Sequence, residues 1–69
     1  MARIKGVDVP NNKRIEIALT YIYGVGRSLS NKVLNDAKVD INKKAGELDS
    51  DELSRIREEL NKYLTEGDL

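Results

Sequence analysis

The sequence has 69 residues, 12 of them basic and 12 acidic, with 39% hydrophobic residues and neither cysteine nor histidine. That length allows one small domain, and the missing residue types exclude disulfide staples, cysteine or histidine zinc sites and an imidazole general base. Such a chain buries only about 60% of the surface its unfolded form exposes. Its expected net stability is roughly 3–10 kcal/mol.

No apolar run approaches the roughly 20 residues of a membrane helix. The start, Met1 to Gly6, lacks the apolar stretch of a secretory signal. The composition therefore points to a helical, soluble domain in the cytoplasm or an organelle interior, with no membrane partner. It does not point to an enzyme, and no cofactor is expected. The zero net charge hides an asymmetry. Residues 1–44 hold nine basic groups against four acidic ones, and residues 45–69 hold three against eight. A chain with halves of +5 and −5 can turn a basic face to a polyanion.

In chain order, Ile4, Val7 and Val9 alternate loosely before Pro10, which holds Val9 extended. One lone strand cannot make a sheet, so residues 1–10 are expected to form an extended arm. Asn11 or Asn12 is placed to cap a first helix over residues 11–24. Its residues Ile15, Ile17, Ala18, Leu19, Tyr21, Ile22 and Tyr23 are apolar on nearly every side. Such a helix is central and covered by its neighbours. Gly24 supplies its left-handed stop.

A short link then leads to a second helix over 28–38, capped by Ser28, with the stripe Leu29, Val33, Leu34 and Ala37. Residues 39–48 read as a loop that tucks Val39, Ile41 and Leu48 onto the core. The third helix, 49–65, has the clearest start. Asp49 and Glu52 stand at capping-box spacing, and Leu48 and Leu53 at hydrophobic-staple spacing. Leu53, Ile56, Leu60, Tyr63 and Leu64 share one face. Arg55 with Glu59, and Glu58 with Lys62, are expected i,i+4 pairs. Gly67-Asp68 reads as a helix stop followed by a new N-cap. The expected fold is all-α: one small three-helix domain with an extended N-terminal arm and a helix-hairpin-helix-like turn.

That turn, Gly24-Val25-Gly26-Arg27-Ser28, is where chemistry is expected. Glycines leave the backbone unshielded, and the first amides of the next helix point outward at its positive dipole end. Together they suit a phosphate, with Arg27 and Lys32 adding charge. Val25 is expected to anchor the turn in the core, and the small Ser30 to let the helices approach closely. Such amides grip nucleic-acid phosphates without reading sequence. The alternative reading of the same residues is a tight helical corner. Lys13 and Arg14 sit against the dipole of the first helix, which hints at an anionic partner. Asp49, Asp51 and Glu52 read as helix N-terminal charge, so no metal site is expected. Tyr21 and Tyr23 read as core or domain-surface packing residues in preference to base-stacking ones.

The segment from Ala2-Arg3-Ile4 through Gly6-Val7-Asp8, Pro10-Asn11-Asn12-Lys13-Arg14 and Ile22-Tyr23-Gly24-Val25-Gly26-Arg27-Ser28 closely resembles the N-terminal part of the bacterial-type small-subunit ribosomal protein S-thirteen family. The resemblance spans essentially the whole chain and shows again at Glu66-Gly67-Asp68-Leu69. It implies a helix-two-turns-helix domain in the head of the small subunit. The implied partners are small-subunit rRNA, neighbouring head proteins and a large-subunit protein at an intersubunit bridge. By position it implies rRNA contact at Gly24, Val25, Gly26, Arg27 and Ser28. It places Arg3, Lys5, Lys13 and Arg14 in the family's basic N-terminal stretch, although the family usually has a small residue at Lys5. The family's arginine-rich tail, which reaches tRNA, is not in this sequence, so tRNA contact does not carry over. The chain is expected to be a fragment or a natural chain without that tail. Beside this reading stand two others, an isolated helix-hairpin-helix module binding duplexes non-specifically and a protein-interaction fragment.

Overall fold

The computed structural model describes residues 2–64. In chain order these form β1 (Ala2–Ile4), β2 (Val7–Val9), α1 (Ile15–Ala18), α2 (Arg27–Ala37) and α3 (Ser50–Tyr63). Two 3₁₀ turns, Leu19–Tyr21 and Ala45–Glu47, complete the framework. The expected helix end at residue 65 and the stop at Gly67-Asp68 lie outside the described residues.

The extended arm is corrected to a hairpin. β1 and β2 pair antiparallel, with Ala2 opposite Val9, Arg3 opposite Asp8 and Ile4 opposite Val7. Lys5 and Gly6 connect them with φ of 54° and 77°. Two positive φ values in succession are what a two-residue type I′ turn requires. The expected arm lacked a partner strand, yet the partner is its own first half. The domain is thus mostly helical with a small sheet, and not strictly all-α. Strand alternation puts Ile4 and Val9 fully into the core and sets Arg3 beside Asp8 on the other face at 3.5 Å. Burial of that apolar face supports a hairpin that would be marginal alone.

The first helix is far shorter than 11–24. Four α-helical residues run into the Leu19–Tyr21 turn, and Ile22 is already extended. Asn11 and Asn12 do not cap it; Arg14 precedes it, with no side-chain cap. The reason is that the backbone of 11–15 is engaged elsewhere. The Ile15 N–H donates to the Lys43 carbonyl at 2.7 Å, Ala45 to Lys13 at 2.9 Å and Gly46 to Asn11 at 3.0 Å. These bonds form a strand-like clamp, with Arg14 and Lys44 as an antiparallel bridge. The loop of residues 39–48 is therefore a structural partner of the first helix. Val39 is buried, and Ile41 and Leu48 pack against the core as expected.

α2 closes with Lys38 at φ 60°, a left-handed residue that is not glycine. The Lys38 N–H donates to the Asn35 carbonyl at 3.2 Å and the Val39 N–H to Leu34 at 3.0 Å. This is a Schellman closure, and the buried Leu34 and Val39 are its usual hydrophobic accompaniment. α3 begins as expected. The Asp49 carboxylate accepts the Glu52 N–H at 2.8 Å, and the Glu52 carboxylate accepts the Asp49 N–H at 3.0 Å. Glu52 also takes the Lys43 ammonium at 3.0 and 3.1 Å, tying the loop to α3. That hydrogen bond raises the Lys43 pKa above its ordinary 10.5. A raised value means the contact holds at neutral pH and is lost only as pH climbs past it.

α3 buries Ile56 and Leu60 and sets Leu53 and Leu64 against the core, while Tyr63 is more than one-third exposed. Its ion pairs differ from the expected ones. Arg55 reaches Asp51, and Lys62 reaches Glu59 at 3.1 Å. Arg55 also donates through Nε to the Ala37 carbonyl at 2.9 Å, which directs it toward the end of α2 and away from Glu59.

Two substitutions test this framework. A Cβ at Gly46 would lie 2.8 Å from Asn11 Cβ and 3.3 Å from the Asn11 carbonyl oxygen. Gly46→Ala should destabilise the domain by about 1–3 kcal/mol in urea titration. Lys38→Gly should stabilise it by about 0.5–1 kcal/mol, because it removes the Cβ penalty of the left-handed cap.

Candidate nucleic-acid interface

The turn is built by three different positions. Val25 is 5% exposed, and its N–H donates to the Ile22 carbonyl at 3.0 Å, so it anchors the corner as expected. Gly24 has φ 89°, and a Cβ there would meet Leu64 Cδ2 at 3.5 Å. The left-handed requirement is real, although the helix it was expected to end stops at Ala18 and the 3₁₀ turn after it at Tyr21. Gly26 differs from both. Its φ is −94°, and a Cβ built on it meets nothing within 4 Å. Among the described residues, neither strain nor crowding demands glycine there. Its effect is to leave the backbone open to solvent.

Gly26, not Ser28, is the residue that precedes α2, and no side chain caps the helix. Ser28 is exposed in the first turn. The Ser30 N–H, donating to the Gly26 carbonyl at 2.9 Å, begins the helical ladder. The amides of Arg27, Ser28 and Leu29 therefore stand in the turn whose N–H groups have no intrahelical acceptor. Ser30 is fully buried, and its hydroxyl donates to the Glu16 carbonyl at 2.7 Å. This is the close approach between the first two helices that a small residue allows.

The structure brings Arg14 and Arg27 to one carboxylate and engages Arg3 and Lys5 with other partners. Arg27 Nη2 lies 3.7 Å from one Glu16 carboxylate oxygen and Arg14 Nη2 lies 3.7 Å from the other. Arg14 also donates to Asn42 Oδ1 at 2.9 Å. Both arginine side chains remain about half or more exposed, while that of Glu16 is only 8% exposed. Lys13 and Lys32 are exposed. Arg3 is engaged with Asp8 in the hairpin, and Lys5 Nζ donates to Asn61 of α3 at 2.6 Å.

Tyr23 is a correction. It is 97% exposed and Tyr21 is 54% exposed, so neither is a core residue. The expected all-round apolar helix fails because the chain leaves helical geometry at Ile22, rotating Tyr23 out of the helix wheel. Glu16 is the residue that the sequence reading missed. The signal for it was a single acid within Ile15, Ile17, Ala18 and Leu19. Among the described residues, no three acidic side chains converge as a metal site requires. No described helix is long and apolar enough to cross a membrane.

The family model described as ribosomal protein S13/S18 matches residues 3–67. The chain belongs to that ribosomal protein family. The family is structural and not enzymatic. Among curated relatives, the chain is similar to a small ribosomal subunit protein uS13 of a Mycoplasma species, 51% identical over 69 residues. The match covers all of this chain and 58% of the relative. The chain thus spans somewhat more than half the length of the curated relative it matches.

The buried hydroxyl of Ser30 gives a direct test of the helix-to-helix joint. Ser30→Ala should lower stability by about 0.5–1.5 kcal/mol in urea titration, the net value of one buried hydrogen bond.

Proposed function

We propose that this chain is a structural constituent of the small ribosomal subunit head, positioned on rRNA by phosphate contacts. The observation that carries the reading is Gly26, where no described residue crowds the backbone at the start of α2. An unshielded backbone at the start of an uncapped helix lets a phosphate reach the amides of Arg27, Ser28 and Leu29. Gly24 shapes the approach and Val25 fixes it from below. Arg27, Arg14, Lys13 and Lys32 supply the surrounding charge, and Arg3 and Lys5 extend it to the hairpin. Family membership supports the same reading, as does the basic character of residues 1–44.

The mechanism is positional, and no bond is made or broken. Phosphate contacts set the register of the domain on the RNA. The acidic α3 suits neighbouring proteins, including a large-subunit protein at an intersubunit bridge. The domain works on the ribosome, in the cytoplasm or in an organelle.

The test is titration with a small-subunit head rRNA fragment and a random duplex of matched length, at two salt concentrations. The head fragment should bind more tightly. Gly26→Ala should lower stability by only about 1 kcal/mol, as a poorer N-cap in melting curves, and weaken binding of the folded variant by about 3–10-fold, the equivalent of one hydrogen bond. Arg27→Ala should lower the salt slope by roughly 1. Equal binding to both RNAs would replace this reading with non-specific phosphate binding. Binding to neither would leave a protein-contact domain.

A further inference from the structure

The buried carboxylate of Glu16 has no part in the phosphate contacts proposed above. Among the described residues it is the only buried acid. An unpartnered carboxylate in that setting would be costly, and burial is tolerated because its charge is paired. Its two oxygens face different arginines. Oε1 lies 3.7 Å from Arg14 and Oε2 lies 3.7 Å from Arg27. The backbone of Glu16 is fixed as well, since its carbonyl accepts the fully buried Ser30 hydroxyl at 2.7 Å.

We infer that Glu16 is a positioning residue that couples Arg14 and Arg27 into one phosphate-binding unit. The inference rests on the rRNA-binding reading above and adds a residue and a rule of action to it. Arg14 enters from the clamped segment before α1, where Asn42 holds its other terminal nitrogen at 2.9 Å. Arg27 enters from the first turn of α2. Glu16 is the one group that both reach. Each arginine turns part of its guanidinium to the carboxylate and keeps the rest in solvent, with side-chain exposures of 49% and 65%. Two positive charges against one buried negative leave a net positive surface. Holding the two long side chains in advance lowers the ordering cost when an anion binds. A guanidinium carries five N–H donors, so some remain for a phosphate while one terminal nitrogen of Arg27 and both of Arg14 stay paired.

This proposal reverses the sign that charge alone would give. Glu16→Gln moves the formal net charge of the chain from zero to +1. Counterion release by itself then favours tighter RNA binding. Loss of positioning predicts the opposite, about 3–10-fold weaker binding to the head rRNA fragment, the range that ordering one or two long side chains spans. The 69-residue chain and its Glu16→Gln variant are compared at two salt concentrations, with melting curves to verify folding. Equal or tighter binding by the folded variant overturns the inference.

A second measurement decides the matter if that variant does not fold. Arg14→Lys, Arg27→Lys and the double variant are compared in the chain that keeps Glu16. Each keeps a positive charge beside the buried carboxylate, so these variants should retain the fold, while lysine lacks the fork that reaches carboxylate and phosphate together. A unit predicts that the double loss departs from the product of the single losses by at least about threefold, as coupled residues do. Losses that multiply simply overturn it. If the unaltered chain binds neither RNA, the rRNA-binding reading and this inference fall together. If that chain prefers the head fragment but the Glu16→Gln chain binds as well, only the inference falls.

Discussion

A four-residue helix cannot hold itself together, and the candidate interface depends on how this one is held. Helix formation needs a costly nucleus, and isolated segments this short do not persist in water. Here α1 is gripped at its start by three backbone hydrogen bonds to residues 43–46, and at its second residue by the Ser30 hydroxyl. Those bonds fix the backbone of Arg14 and Glu16 relative to the first turn of α2. The two arginines meet one carboxylate where those bonds bring the clamp and the first turn of α2 together.

The rest of the domain serves that grip. Glu52 caps α3 and holds Lys43, so the loop that clamps α1 is itself moored to the longest helix. Gly46 is small because Asn11 lies against it. The Schellman closure at Lys38 turns the chain from α2 into that loop and buries Val39 on the way. In a chain of this size each such contact is a sizeable fraction of the total stability. The glycines illustrate the division of labour. Gly24 answers a backbone need and Gly46 a packing need, whereas Gly26, the N-cap of α2, meets neither strain nor crowding among the described residues. A position that the fold leaves free is where an external ligand has room to act.

The site was legible in the sequence to the extent that it is local. Gly24-Val25-Gly26-Arg27 announces a tight corner beside a helix start, and the anchoring role of Val25 follows from its being the only large apolar residue there. The Asp49–Glu52 capping box and the stripe of Ile56 and Leu60 are equally local, and the structure has them where their spacing puts them. Ser28 misled because a serine at a helix start usually caps it. Here the helix begins one residue before that serine, and the serine falls inside the first turn. Tyr23 misled because the helical wheel was extended past the point where the helix stops. The hairpin was missed for a related reason. Lys5-Gly6 is a weaker turn signal than Asn-Gly, since only a left-handed lysine completes it.

By itself the sequence determined the number of helices, the corner between the first two, the start of the third and the family. Each of these is written in residues that are neighbours along the chain or repeat at helical spacing. Tertiary structure decided where the first helix ends, that the amino-terminal segment pairs with itself, and that Glu16 joins Arg14 to Arg27. Those outcomes depend on backbone groups of residues 11–15 choosing between a helix of their own and partners some thirty residues away. Local propensity measures only the first of those choices. The second is settled by burial of the core, which pattern and spacing do not contain.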